Sequence, residues 1–165
     1  MSELRTNRIV PRDGLVSGAS GGVIQVVFFS LATGSTVTVN GTSLVDVLTA
    51  TITPTRSDSK ILVQVTSAPK TNGQSANFQF GAQIQRNSTT IMYDNEYLQM
   101  NNGYAPNAFT GAYTVLDSPA STSALTYKFR CSRSVSGREL YFENSTDNTG
   151  NYYNKHTMTL MEISG

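Results

Sequence analysis

Apolar and polar residues alternate in short segments along most of the chain after residue 22, and this pattern predicts β-strands. The alternation is clearest in segments 60–66 and 76–86, where apolar side chains occupy one face and polar side chains the other. The apolar positions are Ile61, Val63, Val65, Phe78, Phe80, Ala82 and Ile84, and the second segment opposes them with Gln79, Gln83 and Gln85. Both segments are typical of half-buried strands.

Further short apolar runs are separated by Gly, Asn, Ser and Pro, and no segment has the periodicity of a helix. We therefore expect about nine to eleven strands in an all-β, antiparallel β-sandwich or jelly-roll-like domain over residues 23–165. Asn40-Gly41 predicts a hairpin turn between strands at 37–39 and 44–52. The remaining strands are expected at 23–31, 90–93, 111–116, 125–131, 139–142 and 157–163.

The first 22 residues differ from the rest of the chain. Residues 1–16 have no sustained period, and the Ser-Gly-Ala-Ser-Gly-Gly sequence at 17–22 is typical of a flexible linker. We interpret residues 1–22 as an extended anchoring arm with a Gly/Ser hinge, which becomes ordered on a partner. Its candidate contacts are apolar Leu4, Ile9, Val10 and Leu15, with Arg5, Arg8 and Arg12 available for carboxylates.

Some predicted strands carry apolar residues on both faces. Leu62 lies opposite Ile61 and Val63, and the adjacent Phe28 and Phe29 must point to opposite sides of their strand. A small domain with two apolar faces indicates a second covered surface, such as an interface between copies of the chain. Coverage by loops of the same chain would explain the pattern equally well.

Composition excludes several classes of partner and cofactor. The formal net charge is +1, so no overall field attracts nucleic acid or anionic lipid. The single cysteine, Cys131, rules out an intrachain disulfide and a multi-cysteine zinc site. No segment has the length of a membrane span or a signal-peptide core, so we expect no membrane insertion.

Candidate catalytic residues are few, and we expect no enzymatic activity and no cofactor. Gly18 to Gly22 matches G-x-S-x-G, with Asp147 and His156 following in hydrolase order, but Ser20 lies in a linker before a strand instead of at a strand-to-helix turn. His156 is the only histidine, and we expect a partly exposed strand residue, with a pH-sensitive interface role as the alternative. Cys131 shares the face of neighbouring apolar residues and is expected to be buried.

Two binding hypotheses remain at polar loops. Asp147, Asn148 and Asn151 could bind calcium, but they lack EF-hand spacing and are better interpreted as a polar turn. Aromatic side chains near loops rich in Asn, Gln and Asp could stack on the sugars of a host glycan, or could simply cover the core. These are Tyr93, Tyr97, Tyr104, Tyr152 and Tyr153.

The chain resembles a family of small virion structural and fibre proteins of bacteriophages, especially those of marine hosts. The resemblance covers nearly the whole chain through TNRIVPRDGL and SGASGGVIQVV in 6–27, ITPTRSDSKILVQV at 52–65, LDSPASTSALTYKF at 116–129 and TLMEISG at 159–165. It implies a non-enzymatic β-sandwich, usually a homotrimer, that an anchoring segment attaches to a capsid, portal or tail protein of the virion, where it could contact host glycan. Full-length tail fibres have a long shaft that this sequence lacks, so we expect a short fibre, spike or decoration module.

Overall fold

The described part of the protein is all-β, as the alternating pattern predicts. The computed structural model describes residues 21–71, 78–100, 110–133, 139–144 and 156–165, with the backbone alone at 71, 78, 79 and 95–100. These residues form strands and no helix, so the described part of the chain contains no helix able to cross a membrane. The strands are β1 (Val23–Ser30), β2 (Thr36–Val39), β3 (Val45–Ile52), β4 (Lys60–Ser67), β5 (Lys70–Thr71), β6 (Phe78–Arg86), β7 (Thr89–Met100), β8 (Gly111–Asp117), β9 (Leu125–Arg133), β10 (Leu140–Glu143) and β11 (His156–Ile163).

The strands form three antiparallel sheets. The first sheet has the order β1-β11-β4-β8, the second sheet has the order β3-β9-β6-β7, and the small third sheet has the order β2-β10-β5. The long strands pair as a nested set, β1 with β11, β3 with β9, β4 with β8 and β6 with β7. The first and last long strands are therefore neighbours, although most of the chain lies between them.

The first and second sheets bury their inward side chains in one hydrophobic core, an arrangement consistent with a β-sandwich. Strand β3 contacts both β1 and β11 across the core. Phe80, Tyr127 and Phe129 from the second sheet are fully buried there. By analogy with other buried aromatic residues, truncating one of them to alanine would cost about 3–5 kcal/mol.

The predicted hairpin at Asn40-Gly41 is wrong. Strand β2 pairs with β10, and β3 pairs with β9, so residues 40 and 41 connect two different sheets. Their carbonyl groups accept hydrogen bonds from Arg133 at the end of β9, from its backbone N–H to Gly41 and from its side chain to Asn40. A long-range partner therefore satisfies the backbone that a local turn would otherwise have satisfied.

A buried carboxylate holds residues 53–59, which connect β3 to β4, against the first sheet by hydrogen bonds. Glu162 of β11 is fully buried, and its Oε1 accepts hydrogen bonds from the Thr55 backbone N–H at 2.8 Å and the Thr55 hydroxyl at 2.9 Å. Its Oε2 accepts from Gln25 Nε2 at 2.6 Å. Burial raises the pKa of this carboxyl, but the hydrogen bonds outweigh burial and hold the pKa below its usual value.

We expect Glu162→Gln to lower the free energy of unfolding by about 1–3 kcal/mol at neutral pH, because an amide cannot accept all the hydrogen bonds that the carboxylate accepts. The folded pKa of Glu162 lies below its unfolded value, near 4.5, so its stabilisation is complete above that pH and is lost as pH falls through the folded pKa. The variant should therefore lose less stability on acidification than the unmodified protein. Urea unfolding at neutral pH and at about pH 3.5 measures both effects.

Asp58→Asn is the control, because the exposed Asp58 carboxylate pairs with the exposed Arg56 and such pairs contribute little. This variant should retain the neutral-pH stability of the unmodified protein. If Glu162→Gln and the unmodified protein showed the same decline in acid, the buried carboxylate would not be a source of acid sensitivity.

A second polar cluster joins the two large sheets at strand β8, which is an edge strand of the first sheet. Asp117 of β8 accepts hydrogen bonds at Oδ2 from the Tyr127 hydroxyl at 2.7 Å and from Arg86 Nη1 at 2.6 Å. Asp117 belongs to the first sheet, whereas Tyr127 and Arg86 belong to the second. Burial, followed by the neighbouring Asp117 carboxylate, raises the pKa of Tyr127, so this phenol remains a donor.

We expect Tyr127→Phe to lower the free energy of unfolding by about 1–2 kcal/mol, because Asp117 loses one buried donor. Asp117→Ala should cost more, because it removes this acceptor and also leaves Arg86 without its charged partner. The double variant should cost clearly less than the sum of the two single variants, since both changes remove the same bond. Strict additivity in denaturant unfolding would contradict a direct coupling between these side chains.

Candidate functional site

His156 is a core residue, and the prediction that it would be partly exposed is wrong. It is fully buried at the start of β11, with Nδ1 2.8 Å from the Ser67 hydroxyl and Nε2 3.2 Å from the Glu143 carbonyl oxygen. A carbonyl oxygen can only accept, so Nε2 carries a proton, and in the neutral imidazole Nδ1 then accepts from the Ser67 hydroxyl. The imidazole therefore links β4, β10 and β11, and a role at an exposed, pH-sensitive interface does not fit its position.

Cys131 is buried, as the sequence predicts. Its side chain lies in the core with those of Leu125, Tyr127 and Phe129, and burial raises the pKa of the thiol well above its usual value. A buried, protonated thiol is a poor nucleophile. Across the described residues, no three His, Cys, Asp or Glu side chains are grouped so that they could hold a metal ion.

Most of the binding residues proposed from the sequence lie outside the described residues. These are Leu4, Arg5, Arg8, Ile9, Val10, Arg12, Leu15, Ser20, Tyr104, Asp147, Asn148, Asn151, Tyr152 and Tyr153. Tyr93 and Tyr97 lie within β7, which extends to Met100. The long pairing of β7 with β6 carries the strand beyond the predicted end at residue 93.

Where its side chains are described, the outward face of the second sheet is polar, and Asp46, Lys128 and Arg130 form ion pairs on it. Register aligns Asp46, Arg130, Gln83 and Tyr93 in one row across β3, β9, β6 and β7. Arg130 donates to Asp46 at 2.7 Å and to the Gln83 side-chain oxygen at 3.2 Å, and Lys128 donates to the other Asp46 oxygen at 2.6 Å. Burial raises the pKa of Asp46, but these two cations outweigh burial and lower it.

The outward face of the first sheet is different, because an apolar row crosses all four of its strands. Val26 of β1 pairs with Met161 of β11, Met161 pairs with Leu62 of β4, and Leu62 pairs with Leu116 of β8. Paired residues of adjacent antiparallel strands point to the same side of the sheet. These four residues are called the apolar row below.

Phe28 lies two residues along β1 from Val26 and therefore on the same face as the apolar row. Phe28 is 60% exposed, while Val26 and Leu116 are 55% and 54% exposed. Isolated exposed apolar residues are ordinary on protein surfaces, but a contiguous set marks an interaction site. The apolar row and Phe28 together form the candidate functional site of the described domain.

The sequence showed only part of this site. The two-sided apolar pattern at Leu62 and at Phe28-Phe29 predicted a second covered surface, and the structure places Leu62 and Phe28 on the outward face of the same sheet. Val26, Met161 and Leu116 were missed. Their alignment depends on the pairing of strands that are distant in sequence, which alternation within a single strand does not reveal.

Comparison with known proteins adds no relative from which a function could be transferred. No protein-family model matches the chain, and no similar curated protein was found. The resemblance to bacteriophage virion proteins therefore stays a prediction.

Proposed function

We propose that this chain is a non-enzymatic structural subunit of a bacteriophage particle and that it assembles with other copies of itself. The resemblance to virion fibre proteins favours a trimer. The difference between the two outward faces carries this proposal. The face of the second sheet is polar, with its charges paired, as expected of a surface that contacts water. The face of the first sheet carries the apolar row, as expected of a surface that is covered in an assembly.

The strand pairing supports a jelly-roll as the finer description of the fold. The nested pairs of long strands correspond to one long antiparallel ribbon that has been rolled up, so that successive pairs alternate between the first and second sheets. The third sheet consists of β2, β5 and β10, which lie in the segments that connect the long strands. Jelly-rolls occur in viral capsid proteins and in lectins, so this fold is compatible with the proposal but does not select it.

In the proposed arrangement, residues 1–22 attach the domain to a capsid, portal or tail protein of the virion. The described domain begins beside the last strand, because the Gly21 N–H donates to the Ser164 carbonyl oxygen at 3.0 Å and the Ser164 N–H donates to Gly22. The residues before Gly21 are therefore joined to the domain at the β1-β11 side of the first sheet. We expect neither nucleic acid nor an inserted membrane segment among the partners.

Deleting residues 1–16 should leave a folded domain that is no longer incorporated into particles, because every core residue identified in the structure lies after the deletion. The measurement is a comparison of purified particles from infections complemented with the full-length or the shortened chain, with the protein detected by immunoblot. Thermal unfolding of the shortened chain verifies its fold. Normal incorporation of the shortened chain would contradict anchoring by the arm.

A second candidate function is recognition of host polysaccharide, and the position of Tyr93 favours it. Its side chain is 52% exposed on the outward face of the second sheet. It lies beside Gln83, whose amide donates to Thr90 at 2.9 Å and accepts from Arg130. An exposed aromatic ring beside fixed amide and guanidinium groups resembles the mixture of groups that binds sugars.

If this face binds glycan, Tyr93→Ala should lower the affinity for a host polysaccharide at least about tenfold, because the ring supplies the stacking surface. Binding is measured on arrays of host surface polysaccharide and confirmed by calorimetry. Thr51→Ala, an exposed change on the same face and away from Tyr93, serves as the control. Equal binding by Tyr93→Ala would remove this face from consideration as a glycan site.

A further inference from the structure

We propose that the outward face of the first sheet is the surface through which copies of this chain associate, with Phe28 and the apolar row buried at the contact. This inference deepens the proposed function and rests on it in one respect, namely that the chain works as an assembly. It adds the surface, the residues that would carry most of the binding, and the identity of the occupant, which is a second copy of the chain.

The first argument is the cost of leaving this face in water. An antiparallel sheet with one solvated face normally places polar residues on that face, as the second sheet does. In the first sheet, the three most exposed members of the site are Val26, Phe28 and Leu116, each of which is more than half exposed. Covering such side chains releases ordered water and is favourable roughly in proportion to the apolar area removed.

The second argument concerns charge, which favours a second copy over a partner of opposite sign. The paired residues outward on the first sheet form successive cross-strand sets, from Val23, Ile163 and Lys60 at one end to Ser30, Thr157, Thr66 and Ala112 at the other. Lys60 is the one charged residue among these sets. Two identical faces can therefore meet with little repulsion, whereas an acidic or basic partner would find almost nothing to pair with.

The third argument is size. Four strands about 4.8 Å apart, each about 26 Å long for eight residues, present roughly 500 Å² in plan. In a face-to-face pair, the two faces would together cover roughly 1,000 Å², which is about the lower limit for a specific protein interface, whereas in a trimer each face would be shared between two neighbours. The face alone is thus large enough for a pair of copies, and a trimer would use further contact area beside it.

The composition of the face predicts where the binding energy is concentrated. Phe28 is the largest exposed side chain of the face and lies two residues from Val26 along β1, in the next outward-facing pair. Its own cross-strand neighbour is Thr159, followed by Gln64 and Thr114, so the phenyl ring projects beside a polar strip. Aromatic anchors with a polar surround are typical of the residues that dominate interface affinity.

Sedimentation equilibrium of the full-length chain, over about 1–100 µM, tests the proposal. The unmodified chain should have a mass at least twice its own 17.8 kDa, and the ratio of the two masses gives the number of copies. The double variant Phe28→Thr, Leu116→Thr should dissociate, with the dissociation constant raised at least about thirtyfold, because both edges of the apolar face lose their most exposed side chains. Threonine suits a strand, so folding should survive, as thermal unfolding will show.

Tyr93→Thr is the matched control, because it removes an aromatic side chain of similar exposure from the opposite face. It should leave the mass of the assembly unchanged. An assembly that persists in Phe28→Thr, Leu116→Thr and dissociates in Tyr93→Thr would overturn the proposal and place the contact on the second sheet. An assembly that persists in both would also overturn it, while leaving self-association itself intact.

A full-length chain that remains a monomer at about 100 µM would overturn the proposal as well, because the face would then be covered by another protein or by the chain's own first residues. The proposed function has a separate test, since it requires the chain to be present in purified particles. An associating chain that is absent from particles would refute the proposed function and leave the interface standing. A particle-bound chain whose association is insensitive to Phe28 and Leu116 would refute the interface alone.

Discussion

A β-sheet has two faces, and packing one sheet on another buries only one face of each. The core of this protein follows from that constraint, because the inward residues of the first and second sheets are buried together while alternate residues point outward. The two outward faces are left in contact with water, and they differ in composition. The second sheet uses paired charges around Asp46, and the first sheet carries apolar side chains. An apolar outward face, as on the first sheet, is favourable only when another surface covers it.

Polar groups at the edges of the sandwich hold the two sheets in a fixed relation. Glu162 binds the 53–59 connection to the last strand, and Asp117 joins the first sheet to Tyr127 and Arg86 of the second. Hydrophobic packing is not directional, and alone it would tolerate small shifts of one sheet over the other. Buried carboxylates with several donors do not tolerate such shifts, because an unsatisfied charge in the core is costly. The alignment of the outward faces therefore depends on contacts made inside and at the edges.

The sequence predicted the strands well and their pairing poorly, for a physical reason. Alternation is local, so Ile61, Val63 and Val65 could be placed on one face from seven consecutive residues. Pairing is long-range, and the Asn40-Gly41 signal predicted a hairpin where the backbone binds Arg133 instead. His156 was misjudged because its partners, Ser67 and Glu143, belong to other strands. The apolar row was hidden for the same reason, since its four residues come from four strands.

In the proposed particle, association through the first sheet and anchoring through residues 1–22 would reinforce each other. An arm that becomes ordered on its partner loses about 1–2 kcal/mol of conformational entropy per fixed residue, and its few apolar side chains return only part of that loss. A single arm should thus bind weakly. Copies joined by the apolar row would present several arms at once, and each bound arm would raise the effective concentration of the next. A protein with short anchoring segments therefore benefits from an apolar face that joins its copies, even though that face is costly in a free subunit.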